Sequence, residues 1–565
     1  MLSYHHRVKF GVFDLVIAAG QISKRIYTAV MDSFVTSPLF RWTWANDHIG
    51  VVSSKFVEVR AADHFSIKDM MAGRYVLGNK HVDTQGISPF AVEHASPKWS
   101  DELHRFSWLY HFAAARDEGE KRFAMTLALD WVARYGAFDP LVWGRETTAQ
   151  RVINWIKHFD VLTYGANESQ RDAIVQSLSR QIQSLEMRQN FELHPHIQAL
   201  IQMALLGAAI SLGRDTKDVH ERINRLNQTL DAQLSDFGMH LSRSGAVHFN
   251  LLLNLVSLRQ GLATFSPDGA KKFIAITRKM YAALGGLTLS NGDLAYFNMT
   301  GQIPHEDSLA LAARSATKAV FGESRMLAGY GVLLGDESKL IADSGKRPPA
   351  NMNDFMMAGA GSFEYSHRND LIVGNCGPGD ADLGGDAQLF SLPAAHSALE
   401  LDYQGTPPIS TRKLIDHFIA ANGEGPMRLD SAENSLIFDN KGYEAITGVQ
   451  HKRVLTVLPN HGDALVGQDI LTCDLAHNNA PDQFLLRFHL GLGVEAQFND
   501  AENMIELTLR SKSKWLFLFE GASAMIEDSA RQNLRTGLAP IQQIVLYGTV
   551  QPNIDVAWSF VPEGQ

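Results

Sequence analysis

The sequence predicts a chain in two architectural halves, an N-terminal incomplete α/α toroid followed by a C-terminal antiparallel β-sandwich. Three observations predict it. From about Ser100 apolar residues recur at helical spacing through a long series of short-linked segments. From Leu327 the pattern changes to period two, punctuated by Gly, Asn and Asp. The chain has 565 residues, and single cores stop growing at about 250–300, so it must divide. The division expected is 1–99 (a helix and an irregular segment packing on the toroid), 100–325 (toroid) and 326–565 (sandwich).

Residues 13–43 read as one helix leaving through Phe40-Arg41-Trp42-Thr43-Trp44. The start, His5-His6-Arg7-Val8-Lys9 before Phe10-Gly11-Val12-Phe13, has the outline of a signal peptide, but Asp14 interrupts the apolar run. Lys24, Arg25 and Tyr27 continue an amphipathic pattern, so the expectation is a retained helix. Cytoplasmic location is favoured on that basis, with periplasm as the alternative. No apolar run reaches the ~18 residues that a membrane span needs.

Residues 50–95 read as irregular, with strand-like pieces at 56–59 and 74–78. Helices follow at 101–116 (Leu103, Phe106, Trp108, Tyr110, Phe112), 123–135 (Leu127, Leu129, Trp131) and 149–162 (Val152, Ile153, Trp155, Ile156). Further helices read at 168–188, 195–213, 215–235, 245–264 and 268–284. Short connections imply antiparallel hairpins. The lack of a fixed repeat disfavours a solenoid of identical units, which leaves an incomplete ring of hairpins. Strands read at 330–334, 339–343, 435–438, 453–457, 469–473, 484–490, 504–509, 514–519 and 542–547. So many short strands without intervening helices imply a sandwich. The stretch 361–402 stands just past the junction: two alternating arms flank the buried-looking run Leu371-Ile372-Val373, which breaks into a Gly/Asp-rich loop ending at His396.

Composition is that of an ordinary globular protein, with 45% hydrophobic and 20% charged residues. A net charge of −10 without any Lys/Arg block argues against a nucleic-acid partner. An acidic polymer would have to be met by a local basic patch. Cys376 and Cys473 are too few for a disulfide framework and lack metal-type spacing.

Several segments resemble the heparinase II/III-like family. They are Leu103-His104-Arg105-Phe106-Ser107-Trp108-Leu109, Gly238-Met239-His240-Leu241-Ser242-Arg243-Ser244 and Asn291-Gly292-Asp293-Leu294-Ala295-Tyr296-Phe297-Asn298. In the strand-rich half they are Ser362-Phe363-Glu364, Ile372-Val373-Gly374-Asn375-Cys376-Gly377, Ala395-His396-Ser397, His451-Lys452-Arg453 and Arg487-Phe488-His489-Leu490. The likeness covers most of the chain and is nearest to a bacterial branch of that family. It implies a polysaccharide lyase acting on a uronate-containing polymer by β-elimination. That reaction needs a carboxylate neutraliser, a base near neutral pKa and an acid for the leaving oxygen.

The resemblance places candidate catalytic roles on His240 and Arg243, which would bind the carboxylate, and on His396 as base. His240 and Arg243 precede a helix and are expected to expose their side chains. Candidate substrate-binding residues are His194, His248, Asn375 and Tyr296, the last also a possible acid. The bland readings are a helix-entry network for His240 and Arg243, capping for His194 with Pro195, and a structural histidine for His248. Cys376 reads as a small buried hydrophobe and Trp108, Trp131 and Trp155 as core. His451, Arg453, Arg487 and His489 read as structural polar contacts.

The chain departs from the lyases at two places. Their His-rich segment ahead of the SFE strand, which supplies a catalytic histidine and metal ligands, reads here Phe355-Met356-Met357-Ala358-Gly359, and their catalytic tyrosine falls at Val247. No cofactor is therefore expected; zinc would need ligands that this spacing lacks. The alternative to a lyase is a catalytically inactive carbohydrate-binding or envelope-polysaccharide biogenesis protein that keeps the cleft. A third reading, a hydrolase using Asp380, Asp382 or Asp386, rests on a Gly/Asp loop that is more simply a solvated turn. The partner expected in the first two cases is an acidic polysaccharide or oligosaccharide.

Overall fold

The computed structural model describes residues 12–41, 44, 52, 56–93, 96–315, 322–379, 381–402, 427–499 and 501–564. The readings on residues 5–11, on Trp42 and Thr43, on Asp380 and on the side chain of Asp382 lie outside them. The chain forms two compact units, residues 1–56 with 104–229 and residues 57–103 with 230–565.

The first unit is helical: α1 (Val12–Val35), α2 (Glu118–Tyr135), α3 (Arg145–Lys157), α4 (Glu168–Arg188), α5 (Pro195–Ser211) and α6 (Thr216–Asp231). The starts are written in the sequence. Asp117 caps α2, Asn167 and Gln170 form a reciprocal capping box on α4, and Pro195 opens α5. Trp108, Trp131 and Trp155 are buried, with Phe106 edge-on to Trp131 at 5.9 Å and to Trp155 at 5.3 Å. The tryptophans are therefore core. Arg151 lies 4.3 Å from the Trp131 ring and donates to Gln181 and to the His104 and Val142 carbonyls.

The helix expected at 101–116 is instead Pro97–Arg105 followed by a 3₁₀ turn at Leu109–Ala114. Phe106 between them adopts φ +55°, which no α-helix accommodates, and buries its ring completely among the tryptophans. Burial of one aromatic overrides the helical period there.

The second unit holds a helical hairpin, α7 (Gly245–Phe265) and α8 (Pro267–Leu287), joined through Ser266, whose side chain caps α8. The strands then run in chain order. The first are β1 (Arg325–Leu327), β2 (Tyr330–Leu334), β3 (Ser338–Asp343), β4 (Phe363–His367), β5 (Asp370–Gly374), β6 (Leu399–Asp402), β7 (Met427–Asp430) and β8 (Ser435–Asn440). Next come β9 (Val449–Leu458), β10 (Ala464–Cys473), β11 (Gln483–Leu490), β12 (Glu495–Asn499), β13 (Met504–Thr508) and β14 (Lys514–Glu520). The last are β15 (Ser523–Asn533), β16 (Gly537–Thr549) and β17 (Asn553–Pro562).

One sheet has eight strands in the order β12-β13-β14-β17-β10-β9-β8-β7; the other has nine, β15-β16-β11-β5-β4-β3-β2-β1 with β6 beside β11. All pairings are antiparallel, which fits the alternating inward and outward side chains of strands such as β9. The sheets meet through aromatic rings. Phe363 on β4 stacks on Trp558 of β17 at 5.5 Å and 7°, and Phe488 on β11 stands edge-on to the same Trp558 at 4.7 Å. The expected loop before His396 is wound into 3₁₀ turns, Ala381–Ser391 and Pro393–Ala395, which satisfy its backbone locally. Among the described residues no helix is long and apolar enough to cross a membrane.

Candidate functional site

Arg243 follows a tight turn and itself takes φ +62°, which swings its side chain inward. It forms an ion pair with Asp343 at the end of β3, donates to the Gly329 carbonyl at 2.8 Å and to the Lys346 carbonyl, and lies 4.5 Å from the Tyr330 ring. Burial opposes its charge, yet the fields of Asp343 and Tyr330 hold its pKa above the usual value. Asn298 completes the cluster, donating to the Tyr330 hydroxyl at 2.6 Å and to Asp343 at 3.2 Å. The expectation of an exposed guanidinium is therefore corrected: Arg243 is 3% exposed. A substrate carboxylate would have to displace Asp343.

His240 is likewise buried rather than exposed. Its Nδ1 sits 2.7 Å from Ser242 Oγ and its Nε2 3.2 Å from Gln233 Oε1, while its backbone N–H donates to His248 Nδ1 at 3.4 Å. His248 is buried in turn, its Nε2 2.9 Å from the Met280 carbonyl. His240 and His248 thus brace the turn onto α7. Ser244 caps that helix by accepting from the Val247 N–H.

His396 is fully enclosed, and among the described residues neither ring nitrogen has a hydrogen-bond partner. Gly359 makes room for it: a Cβ there would meet His396 Nδ1 at 3.1 Å and Ser362 Oγ at 3.0 Å. Met357 is also buried, its Sδ accepting from the Met299 N–H at 3.1 Å. These neighbours do not fit a metal, since they offer one hydroxyl and a glycine where ligands would stand. Among the described residues no three His, Cys, Asp or Glu side chains converge as a metal-binding group.

Asn375 and Tyr296 do come together. Asn375 Nδ2 donates to the Tyr296 carbonyl at 3.2 Å, its Oδ1 accepts from the Ser397 N–H at 2.9 Å, and its own N–H donates to Glu364 at 2.7 Å. Sequence reasoning missed the residue that organises this cluster, Arg531 on β15. Its guanidinium lies 3.7 Å from the Tyr296 ring, donates to Glu364 at 3.1 Å and also bonds the Asn375 carbonyl. Burial pushes the Tyr296 phenol far above its ordinary pKa, so it is a poor acid at neutral pH.

Tyr296 and Arg531 line a pocket of about 110 Å³ with Asn291, Asp293, Gln302, Asp370 and the exposed Arg510. Amides, an aromatic ring and the Arg510 guanidinium suit a hydroxylated, carboxylate-bearing ligand, with Asp293 and Asp370 placed to accept from its hydroxyls. The volume admits one end of a sugar unit rather than a chain. The sequence marked only its 291–296 wall, with Tyr296, because Asn291 and Arg531 stand 240 positions apart.

His194 belongs to the first unit. Its Nδ1 sits 2.8 Å from Glu192, which also accepts from Arg145 at 2.6 Å. Burial alone would raise the Glu192 pKa, but hydrogen bonds from His194 and Arg145 bring it down to about 2. His194 is thus already engaged with a carboxylate of its own chain. Both cysteines are free; burial pushes the Cys376 thiol up to about 11 although its Sγ lies 3.5 Å from His489 Nδ1, which makes it an inert thiol.

Burial lowers His248 and His396 to about 4 and His489 to about 3. Each is lower folded than unfolded, so the stability they carry is complete above about pH 6.5 and is lost as pH falls toward 4 and below. Urea midpoints should therefore drop between pH 7 and pH 5 by the equivalent of a few kcal/mol, and His396→Leu should make that drop shallower. Identical midpoints at the two pH values would contradict these burial states.

The fold is a helical array followed by an antiparallel β-sandwich. Residues 325–559 match the Heparinase II/III-like, C-terminal family. The structure is similar to heparinase III, with a TM-score of 0.66 at 15% identity over 95% of this chain and 91% of that one. It is similar too to a heparan sulfate lyase from Pedobacter heparinus, with a TM-score of 0.52 at 13% identity over 97% and 90%. A curated relative, FtsZ-localized protein C of Caulobacter vibrioides, is 24% identical over 491 residues, 82% of each chain. Residues 325–559 belong to that heparinase II/III-like family, and the fold is the α/α toroid and antiparallel β-sandwich expected from the sequence.

Proposed function

We propose that the protein binds an acidic oligosaccharide without cleaving it, seating a carboxylate-bearing sugar end at the pocket of Arg510 and its neighbouring amides. The observation that carries this reading is the state of the elimination positions. Met357 and Val247 are buried apolar side chains, and His240, Arg243 and His396 are each at most 3% exposed. A histidine held near pKa 4 is a weak base for an α-proton, and a guanidinium already paired with Asp343 is a weak clamp for a second carboxylate. The pocket keeps the chemistry of recognition, and among the described residues no histidine lines it.

Calorimetric titration with a panel of uronate-containing oligosaccharides should detect binding, and Arg510→Ala should weaken it about tenfold through the lost charge-assisted contact. The ultraviolet absorbance of an unsaturated uronate should not develop during incubation. Growth of that absorbance would restore the lyase reading, and absence of binding across the panel would remove the glycan altogether.

A second reading is favoured by the Caulobacter relative, whose name places it with FtsZ and whose match spans most of both chains. On this reading the fold serves at the division site, and a fluorescent fusion should concentrate at midcell. A uniform distribution through the cell cycle would count against it.

A further inference from the structure

From Ser23 to Val35, helix α1 is turned inside out relative to an ordinary surface helix. At about 100° per residue, Ile26, Tyr27, Val30 and Phe34 share one face. That face points to solvent, with these four side chains 57–60% exposed. The opposite face carries Thr28, Asp32 and Val35, and it is the one held inward. Arg188 donates to Asp32 at 2.8 Å and Arg145 pairs with it at 2.9 Å, while Thr28 and Val35 are buried. A surface helix normally sends its apolar stripe to the core and its charges outward. Here half-buried ion pairs from Asp32 to Arg145 and Arg188 fix the orientation that leaves the stripe exposed.

The apolar surface continues past the helix. Phe34 and Phe40 rings stand 5.3 Å apart, and Leu39, on the short helix Pro38–Arg41, is 87% exposed. Charge along the same stretch is the reverse of the whole molecule's. Lys24 and Arg25, both exposed, stand in the turn ahead of the stripe, and Arg7 and Lys9 precede them in a sequence whose single acid before Asp32 is Asp14. Asp32 is neutralised by its two arginines. The chain as a whole carries −10.

We propose that this face of α1 docks on an anionic lipid surface, lying in the interface plane with Ile26, Tyr27, Val30, Phe34 and Leu39 inserted among acyl chains and Lys24 and Arg25 at the headgroups. An apolar face with cations in the turn ahead of it, on a helix that does not span the bilayer, is an arrangement that binds such interfaces. The local positive charge on an acidic protein matches anionic headgroups. The oligosaccharide reading does not enter this argument.

The test is co-sedimentation of the full chain with vesicles of phosphatidylcholine containing phosphatidylglycerol, against vesicles of phosphatidylcholine alone. The chain should bind the anionic vesicles, and added salt should weaken that binding. The double variant Val30→Asp/Phe34→Asp should lose about tenfold or more in binding. The double variant Lys24→Glu/Arg25→Glu should lose binding to anionic vesicles and with it the salt dependence. Because all four residues are solvent-facing, circular dichroism and melting of both variants should match the parent. A chain that stays in the supernatant with anionic vesicles overturns the proposal, as does a Val30→Asp/Phe34→Asp variant that binds like the parent. So does a parent that forms dimers by light scattering, separated by the same variant, without binding vesicles; the stripe would then cover a second copy.

Discussion

Replacing Asp469 by alanine should cost about 3–5 kcal/mol of stability, because it leaves an arginine charge stranded inside the sandwich. Asp469 on β10 accepts from Arg453 at 2.7 and 3.2 Å, from Trp558 Nε1 at 2.8 Å, and meets His451 Nε2 at 2.6 Å. Arg453 continues the network to the Gly361 and Ser397 carbonyls at 2.9 and 3.1 Å, so it joins the eight-stranded sheet to the β4 side of the other. All four side chains are at most 2% exposed. Burial by itself would raise the Asp469 pKa, but Arg453 and His451 outweigh it and hold the carboxyl far below its usual range. A depressed carboxylate stabilises fully above its unfolded pKa of about 3.8, and that contribution is lost as pH falls below it. Guanidinium unfolding of Asp469→Ala should show the loss, and Arg453→Leu/Asp469→Leu should recover much of it because neither charge is then stranded. A single variant within about 1 kcal/mol of the parent would mean that the network is not coupled as described.

Arg243→Ala should be the second severe substitution, again by about 3–5 kcal/mol, since it strands Asp343 beside Tyr330 and frees the Gly329 and Lys346 carbonyls. The two roles open to Arg243 separate cleanly in this experiment. A structural cation gives a variant with a lowered unfolding midpoint, partly rescued by Arg243→Met/Asp343→Leu. A carboxylate clamp gives a variant as stable as the parent that has lost oligosaccharide binding alone. We expect the first outcome; the second would return Arg243 to the site.

Local signals in the chain specified the elements well. The helical starts at Asp117, Asn167, Pro195 and Pro267 sit where capping chemistry places them, and β2, β3, β8–β11, β13, β14 and β16 fall on the period-two runs. Both signals are short-range, being set by side chains within one turn or one pleat of each other. The exceptions are instructive. Phe106 breaks a helix to fill a space between tryptophans 25 and 49 positions away, which no local pattern records.

The candidate site was legible in outline only. Sequence singled out Arg243, Asn375, Tyr296 and His396, and each lies at a special place in the second unit. It did not supply their partners. Asp343 is 100 positions from Arg243, and Arg531 stands 156 from Asn375 and 235 from Tyr296. Charge on a lone arginine reads the same whether it will face a sugar or an aspartate. The choice depends on which acid the sheet register brings alongside.

By itself, then, the sequence determined the change from helices to strands, most of the helices, nine of the strands, the family likeness and the loss of a histidine-rich segment at Met357. Tertiary structure alone decided that residues 57–103 join 230–565 in one compact unit, that the expected catalytic groups are sealed, and that α1 shows its apolar face to solvent. The physical reason is one of range. Periodicity and capping are fixed by neighbours in the chain, whereas burial and ion pairing are fixed by neighbours in space, and a guanidinium or an apolar stripe acquires its role only when those are in place.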